Sequence, residues 1–310
     1  MREDLNWLIL LVSGIVCAVC LWFASHAPWW GALLAAFAFA LVNNTPFAIL
    51  HEAIHGVGSA NPTRNTAMGV IASWMFPTSY TMQRAAHIGH HERNRSDVEL
   101  YDYYLPHESR TLRQVWLYGG NLLGLYWFAV LLSNVLYLVA TPVYRSRWMI
   151  ENFSQRAGFG PFARDLAALP PSRVWPELAA AFAYQALLWW ALDLNWQGWM
   201  LAHWFFALHW SALQYCDHAW SARDAANGAW DLRVSTPARW LALNFHYHLA
   251  HHRNPQVPWP LLPAYASHEG QPSFWRVYWS LWRNGVQPAP PLGAPANRSL
   301  LFAPPHARDQ

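Results

Sequence analysis

The chain contains no lysine: all 20 of its basic residues are arginine. Charge of either sign is scarce, 12% of 310 residues, where soluble globular domains carry roughly 25%. That is too little charge to cover a water-soluble protein of this size. Three cysteines, two of them (Cys17 and Cys20) inside an apolar run, exclude a disulfide scaffold. There is no C-x-x-C-H and no multi-cysteine cluster, so the chain offers no haem, flavin or iron–sulfur region of its own. Nor is there a phosphate-cradling glycine loop or a nucleophilic triad. A net charge of +3 without a basic stripe between stacking aromatics argues against nucleic-acid binding. A hydrophobic share of 54% excludes intrinsic disorder. What remains is a membrane protein.

Three things are abundant: long uncharged runs, 22 Trp and 16 His. Residues 5–25 and 27–50 hold no charge apart from the intervening His26, and each exceeds the roughly 20 residues a helix needs to cross a bilayer. Glu3 and Asp4 stand where a cleaved signal peptide carries positive charge, so the first run reads as a retained span. The aromatic turn His26-Ala27-Pro28-Trp29-Trp30 suits a membrane interface and makes the two runs a hairpin. A third uncharged run covers 114–144, and a fourth, 178–216, is broken only by Asp193 and divides there into two helices.

Arginines flank the third run on both sides: Arg84, Arg93, Arg95, Arg110 and Arg113 before it, Arg145, Arg147, Arg156, Arg164 and Arg173 after it. The positive-inside rule puts both flanks in the cytoplasm. The third run then enters the membrane and returns, or lies along its surface. The expected architecture is an all-α integral membrane fold with about four transmembrane helices. Residues 51–113, 145–173 and 217–310 form a cytoplasmic cap, and 1–284 make a single domain. Eleven of the 22 Pro lie beyond Asn254. Residues 274–283 read as an interfacial amphipathic helix, and 285–310 as a disordered Pro/Ala-rich tail.

Ten histidines carry the chemistry. His51 and His55 stand in HxxxH spacing, His87, His90 and His91 in HxxHH, and His248, His251 and His252 in HxxHH again, with His246 and His218 nearby. Residues at i, i+3 and i+4 share one helical face, so eight imidazoles are available to one centre. Neutral imidazoles clustered beside a bilayer are costly unless a ligand uses their lone pairs, and the inference is metal binding. His26, His107, His268 and His306 read as ordinary surface residues, and His203 and His209 as polar groups inside a packed helix. His51-Glu52-Ala53-Ile54-His55 also matches the HExxH zinc-protease helix. One zinc needs only one further ligand and an open position, which leaves both HxxHH clusters unused. Eight or nine histidines suit two metals.

Taken together, the three boxes resemble the membrane fatty acid desaturase and hydroxylase superfamily. The segment Asn244-Phe245-His246-Tyr247-His248-Leu249-Ala250-His251-His252, followed by Pro255, Pro258-Trp259 and Leu262-Pro263, resembles bacterial hydrocarbon oxygenases and carotenoid ketolases. The resemblance implies two non-haem iron ions held by His51, His55, His87, His90, His91, His248, His251 and His252. It implies a ninth ligand at His218, preceded by an amide at Gln214. Glu52, Gln214, Asp217, Asn244 and His246 become candidates to orient the ligands. The implied activity is O2-dependent oxidation of unactivated C–H bonds in a lipid-like substrate, desaturation ahead of hydroxylation or ketolation. Electrons come from a separate ferredoxin, rubredoxin or cytochrome-type donor with its reductase, and the location is the bacterial inner membrane. Parity supplies a check: one centre needs all boxes on one membrane side, which four spans allow and five do not.

Overall fold

The structure, a computed structural model, describes residues 3–155, 158–267 and 270–302. It is mostly helical. Helix α1 (Glu3–His26) turns at Pro28 into α2 (Trp29–Val42), which runs on through Asn43 into α3 (Asn44–Ile54). Then come α4 (Pro62–Met75), α5 (Tyr80–Arg93) and α6 (Arg110–Val115), the last widening into a π-turn over Trp116–Leu122. They are followed by α7 (Leu125–Tyr144), a π-turn at Trp148–Ser154, α8 (Gly160–Ala168), α9 (Pro171–Ala191) and α10 (Trp196–Cys216). The chain ends with α11 (Thr236–Leu241), α12 (His248–Arg253), α13 (Phe274–Asn284) and α14 (Arg298–Phe302). The helix starts are encoded locally. Asn61, Ser79, Ser109, Asn195 and Ser273 each accept a backbone N–H of the first turn.

Among the described residues three helices are long and apolar enough to cross a membrane: Leu5–His26, Trp29–Ile54 and Leu125–Tyr144. Helices α9 and α10 have 21 residues each, about 32 Å at 1.5 Å per residue, but are more polar. α1, α2 and α10 form the tightest bundle, sharing a core of Leu10, Phe39, Ala202 and Phe206. Gly198 lets α10 approach the backbone of Ala24 and Ser25 so closely that a Cβ would collide, the small-residue contact typical of packed membrane helices.

Two contacts fix how the helices align. At one end, Asn195 before α10 bonds the backbone carbonyl of Ser25, so the α1–α2 and α9–α10 turns lie side by side. At the other, the Asn6 amide donates to Gly58 O (2.9 Å) and the Trp259 indole donates to Asn6 Oδ1 (3.1 Å). The start of α1, the end of α3, the end of α10 and the loop after α12 therefore meet at one end, which carries the histidines. Exposed tryptophans ring both ends: Trp29, Trp190 and Trp196 at the far one, Trp148, Trp240, Trp275 and Trp279 at the histidine one. α13 buries Val277 and Leu281 and turns Trp275 and Trp279 outward, as its amphipathic pattern predicts.

Two segments differ from the sequence expectation. Residues 62–93, read as lying wholly in the cytoplasmic cap, form a hairpin of α4 and α5 driven down between the long helices. Its tip reaches their middle: Met75 packs on Gly14 halfway along α1, and Pro77 O accepts the Asn134 amide halfway along α7 (3.0 Å). Hydropathy conceals this because the hairpin faces protein, where Asn65 donates to Ala53 O and Glu177 accepts from Ser79 and Thr81. The tail is also corrected. Residues 285–302 are fastened: Gln287–Pro288 pairs in parallel with Tyr103–Tyr104, Arg223 N donates to Ala294 O, Asn297 N donates to Trp220 O, and Leu301 is buried. Proline lacks an N–H but keeps its carbonyl, and Arg223 uses that of Pro290. Residues 303–310 lie outside the described ones.

α7 has an unusual course. Gly124, at φ 88° and pressed on the backbone of Ala207, starts it partway along α10, where Trp127 N donates to Ser211 Oγ (3.2 Å). It ends beside the beginning of α9, where Tyr137 OH donates to Leu169 O (3.0 Å) and Trp175 donates to Thr141 Oγ1 (2.8 Å).

Candidate metal centre

The three histidine boxes meet. His51 and His55 come from the end of α3, His87, His90 and His91 from the upper part of α5, and His248, His251 and His252 from α12; His218 lies just past the end of α10. Their nitrogens form two groups, His51, His55, His87, His91 and His251 in one and His90, His218, His248 and His252 in the other, with the ligand atoms of each group within 4.8 Å of one another. The boxes do not map onto the groups one to one. Each HxxHH box splits, so that His90 leaves its neighbours for the second group and His251 leaves its own for the first. The groups share a wall, with the rings of His91 and His252 stacked at 4.3 Å.

The Nε2 atoms converge. His87 Nε2 is 2.8 Å from His55 Nε2 and 3.0 Å from His91 Nε2, which is 3.0 Å from His251 Nε2. In the second group His248 Nε2 is 3.0 Å from His218 Nε2 and 3.2 Å from His252 Nε2. An ion with bonds of about 2.1 Å places ligands at right angles about 3.0 Å apart. A neutral imidazole nitrogen offers one proton or one lone pair, never both. A nitrogen facing two others cannot satisfy both with protons, whereas a cation satisfies all of them. His51 Nε2, buried without a hydrogen-bond partner, points the same way. Burial, reinforced by Arg84 and His90, holds His55 down at about 4, and burial with His55 and His90 nearby holds His91 at about 2. Burial likewise keeps His218, His248, His251 and His252 well below the usual imidazole range. They are neutral, with lone pairs free, as metal binding requires. Imidazole sets of this kind suit iron, zinc, copper or nickel.

The remaining sequence candidates fall around this centre. Asp217 is fully buried, Oδ1 3.7 Å from His218 Nε2 and Oδ2 3.6 Å from His248 Nδ1. Burial pushes its carboxyl well above the ordinary range. Glu52 belongs to neither group and accepts the Trp259 N–H (2.9 Å). Asn244, at φ 60°, donates to Trp259 O (2.9 Å), so it shapes the loop after the third box rather than a ligand. Gln214 has its amide nitrogen buried without a partner on a cavity wall. His246 belongs to neither group and lies against Tyr247. His203 is sandwiched by Trp199 and Trp127, His209 accepts from the Asn44 amide (2.9 Å), and His268 and His306 lie outside the described residues.

Sequence reading missed three residues. Glu99 Oε2 is 2.7 Å from His90 Nδ1, while its other oxygen accepts from Arg93 (3.2 Å). Gly228 O accepts a hydrogen bond from His218 Nδ1 (2.8 Å). Asp231 accepts from the backbone of Ala250 and Ser267, pinning α12 (3.0 and 2.9 Å). An acidic residue eight positions past His91 was the only signal for Glu99, and none pointed to Gly228.

Beside the histidines lies a cavity of about 420 Å³, lined by His51, His87, His90, His218 and His248 at one end and by α7 and α8 at the other. Nine convergent imidazoles able to hold metal open on a largely apolar cavity, among helices of membrane-crossing length. The chain belongs to the fatty acid desaturase family, whose family model matches residues 27–282, and it is an oxidoreductase. A search among curated proteins finds no match.

Proposed function

We propose that this chain is an O2-dependent di-iron oxidase that removes hydrogen from unactivated C–H bonds of a fatty acyl or other lipid-like substrate, desaturation being the outcome. The observation that supports it most directly is the pair of histidine groups at the floor of a lipid-sized cavity. Two iron ions in those groups would supply the O2-dependent oxidation, two substrate hydrogens and two electrons with two protons balancing the reduction of O2 to water. The protein's own part is orientation and exclusion of water. Glu99 and Gly228 O fix the rings of His90 and His218 by accepting hydrogen bonds from their Nδ1–H groups, and Phe47, Trp210 and Tyr126 wall the cavity with apolar surface.

The reading places four spans (α1, α2–α3, α9, α10) in a bacterial inner membrane with the histidine end in the cytoplasm, and takes α7 as re-entrant, since both its ends contact the histidine-side halves of α9 and α10. A separate redox donor, ferredoxin, rubredoxin or cytochrome type, docks on that arginine-rich face. A zinc protease is disfavoured by Glu52, which belongs to neither ligand group and bonds Trp259 instead. The test is expression with a reductase system under 18O2, mass spectrometry of lipids and hydrocarbons, and metal analysis. Unlabelled product lighter by two hydrogens with iron in the protein supports the proposal. Labelled product shifts the outcome to hydroxylation or ketolation, and one zinc with activity lacking any need for O2 overturns it.

A further inference from the structure

We propose that the cavity is filled sideways from the bilayer, through a mouth between α7 and the π-turn Trp148–Ser154, by the uncharged tail of a membrane-dissolved lipid. This deepens the oxidase reading, on which it rests for where the chemistry occurs, by naming the route and the substrate class.

The mouth is marked by residues that line the cavity and are exposed as well: Leu132 on α7 and Phe153 on the π-turn, 67% and 56% exposed. A wall residue open to the outside by that much marks where the wall ends. What surrounds the opening is apolar. Leu132 heads a row on α7 with Val135 and Val139, all exposed and spaced to share one helical face before the kink at Ala140, and Trp148 stands exposed on the other lip. Such a continuous apolar surface is costly in water and ordinary among acyl chains. Gly124 and the early end of α7 seat the helix against α10, so its outer row is left without protein cover.

The cavity wall selects by charge. Among the described residues that line it there is no arginine, and its one carboxylate, Glu99, is occupied by His90 and Arg93. The other polar lining groups are uncharged amides, hydroxyls and indoles, together with the imidazoles. A carboxylate, phosphate or thioester-linked nucleotide along this wall would find no arginine to pair with, a severe cost in an apolar site that an alkyl tail avoids. Arginines do stand outside, exposed on the flanks of the π-turn: Arg145, Arg147 and Arg164. The tail of a neutral lipid and the tail of a phospholipid share the chemistry of the cavity, and only the second would leave an anionic group beside those arginines.

The test is photolabelling of the full chain in phosphatidylcholine vesicles with three probes bearing the same tail-end diazirine: a long-chain alcohol, a phosphatidylcholine and a coenzyme A thioester, the last added from water. The crosslinked peptides are mapped by mass spectrometry. The alcohol or the phosphatidylcholine, whichever is the source, should label the cavity faces of residues 129–136 and 162–166, more than about tenfold above the thioester. Filling the mouth with Leu132→Trp and Phe153→Trp together should cut that labelling about tenfold. Leu8→Trp, on the exposed face of α1, should leave it unchanged. Equal or better labelling by the thioester, labelling confined to outer surfaces, or full labelling of the mouth-filled variant would overturn the proposal. Labelling needs neither metal nor turnover. A protein that takes the tail but oxidises nothing sinks the oxidase reading alone, and an active protein with no cavity labelling sinks this one alone.

Discussion

Nδ1 of His90 lies 2.7 Å from Oε2 of Glu99, an acid eight residues past the second histidine box and held from behind by Arg93. The carboxylate fixes which ring nitrogen carries the proton and so aims Nε2 at its three partners in the second group. Glu99→Gln should weaken metal binding by about 10–100-fold, read by competition against a chelator with metal quantified per chain. Unchanged affinity would make the contact a surface tie without influence on the centre.

His218 and His246 make a paired prediction, because both flank a box and only one joins a group. His218→Ala removes one of four nitrogens from its group and should lower bound metal from about two ions per chain to about one. His246→Ala, two residues before the first converging histidine of its box and packed on Tyr247, should leave the stoichiometry as it was. Elemental analysis of the purified variants decides it. The reverse pattern would mean that the third box is read in the wrong register.

The boxes were legible because helical periodicity alone puts His51 with His55, His87 with His91 and His248 with His252. The partition between groups was not. Whether His90 sides with His87 or with His218 depends on the angle at which α5 meets α10, which no local spacing records. Glu99 and Asp231 were invisible for a related reason, since each acts from an irregular loop through a contact that only the fold creates. The α4–α5 hairpin hid behind its own polarity: Asn65, Ser79 and Thr81 are satisfied by protein partners, so hydropathy marks as cytoplasmic a segment that reaches the middle of the helices. The fastening of residues 285–302 relies on carbonyls of a Pro-rich strand, which composition reads as disorder.

Acid should undo the metal-free protein before it undoes an ordinary helical one. Buried His55 and His91 are held at about 4 and about 2, while in the unfolded chain both return to about 6.5. Below that pH the unfolded state takes up protons the fold refuses. Their stabilising contribution is thus complete above about 6.5 and is lost as pH falls toward the folded values. The melting temperature of metal-free protein in detergent should drop steadily between about pH 6.5 and about pH 4, with little change between about 7 and about 8. A flat profile down to about pH 4 would show the imidazoles accessible to water. Bound metal should hold the transition up until protons compete for its ligands.

Arg95 and Asp102 form an ion pair at 2.8 Å, both side chains with no exposure to solvent. Tyr215 OH donates to Asp102 Oδ1 (2.5 Å), and the other carboxylate oxygen takes the Trp220 N–H (2.7 Å). This knot ties the loop after the second box to the segment that carries His218. Asp102→Ala leaves a buried guanidinium uncompensated and should cost about 3–5 kcal/mol, seen as a large fall in melting temperature with loss of metal from the second group. Tyr215→Phe, which removes a hydroxyl from the knot, should cost about 1–3 kcal/mol.

Trp259 reaches the two ends of the chain's history at once: its indole holds Asn6, its backbone N–H holds Glu52, and its carbonyl takes the Asn244 amide. A ribosome making this protein delivers Asn6 first and Trp259 more than two hundred residues later. Through that interval the first histidine pair has no lid, and neither ligand group is whole, because His251 completes one and His248 with His252 complete the other. Neither group can therefore hold a full set of ligands until the third box is in place. Both groups become whole only when the last box packs onto the others, where Trp259 ties it to α1 and α3.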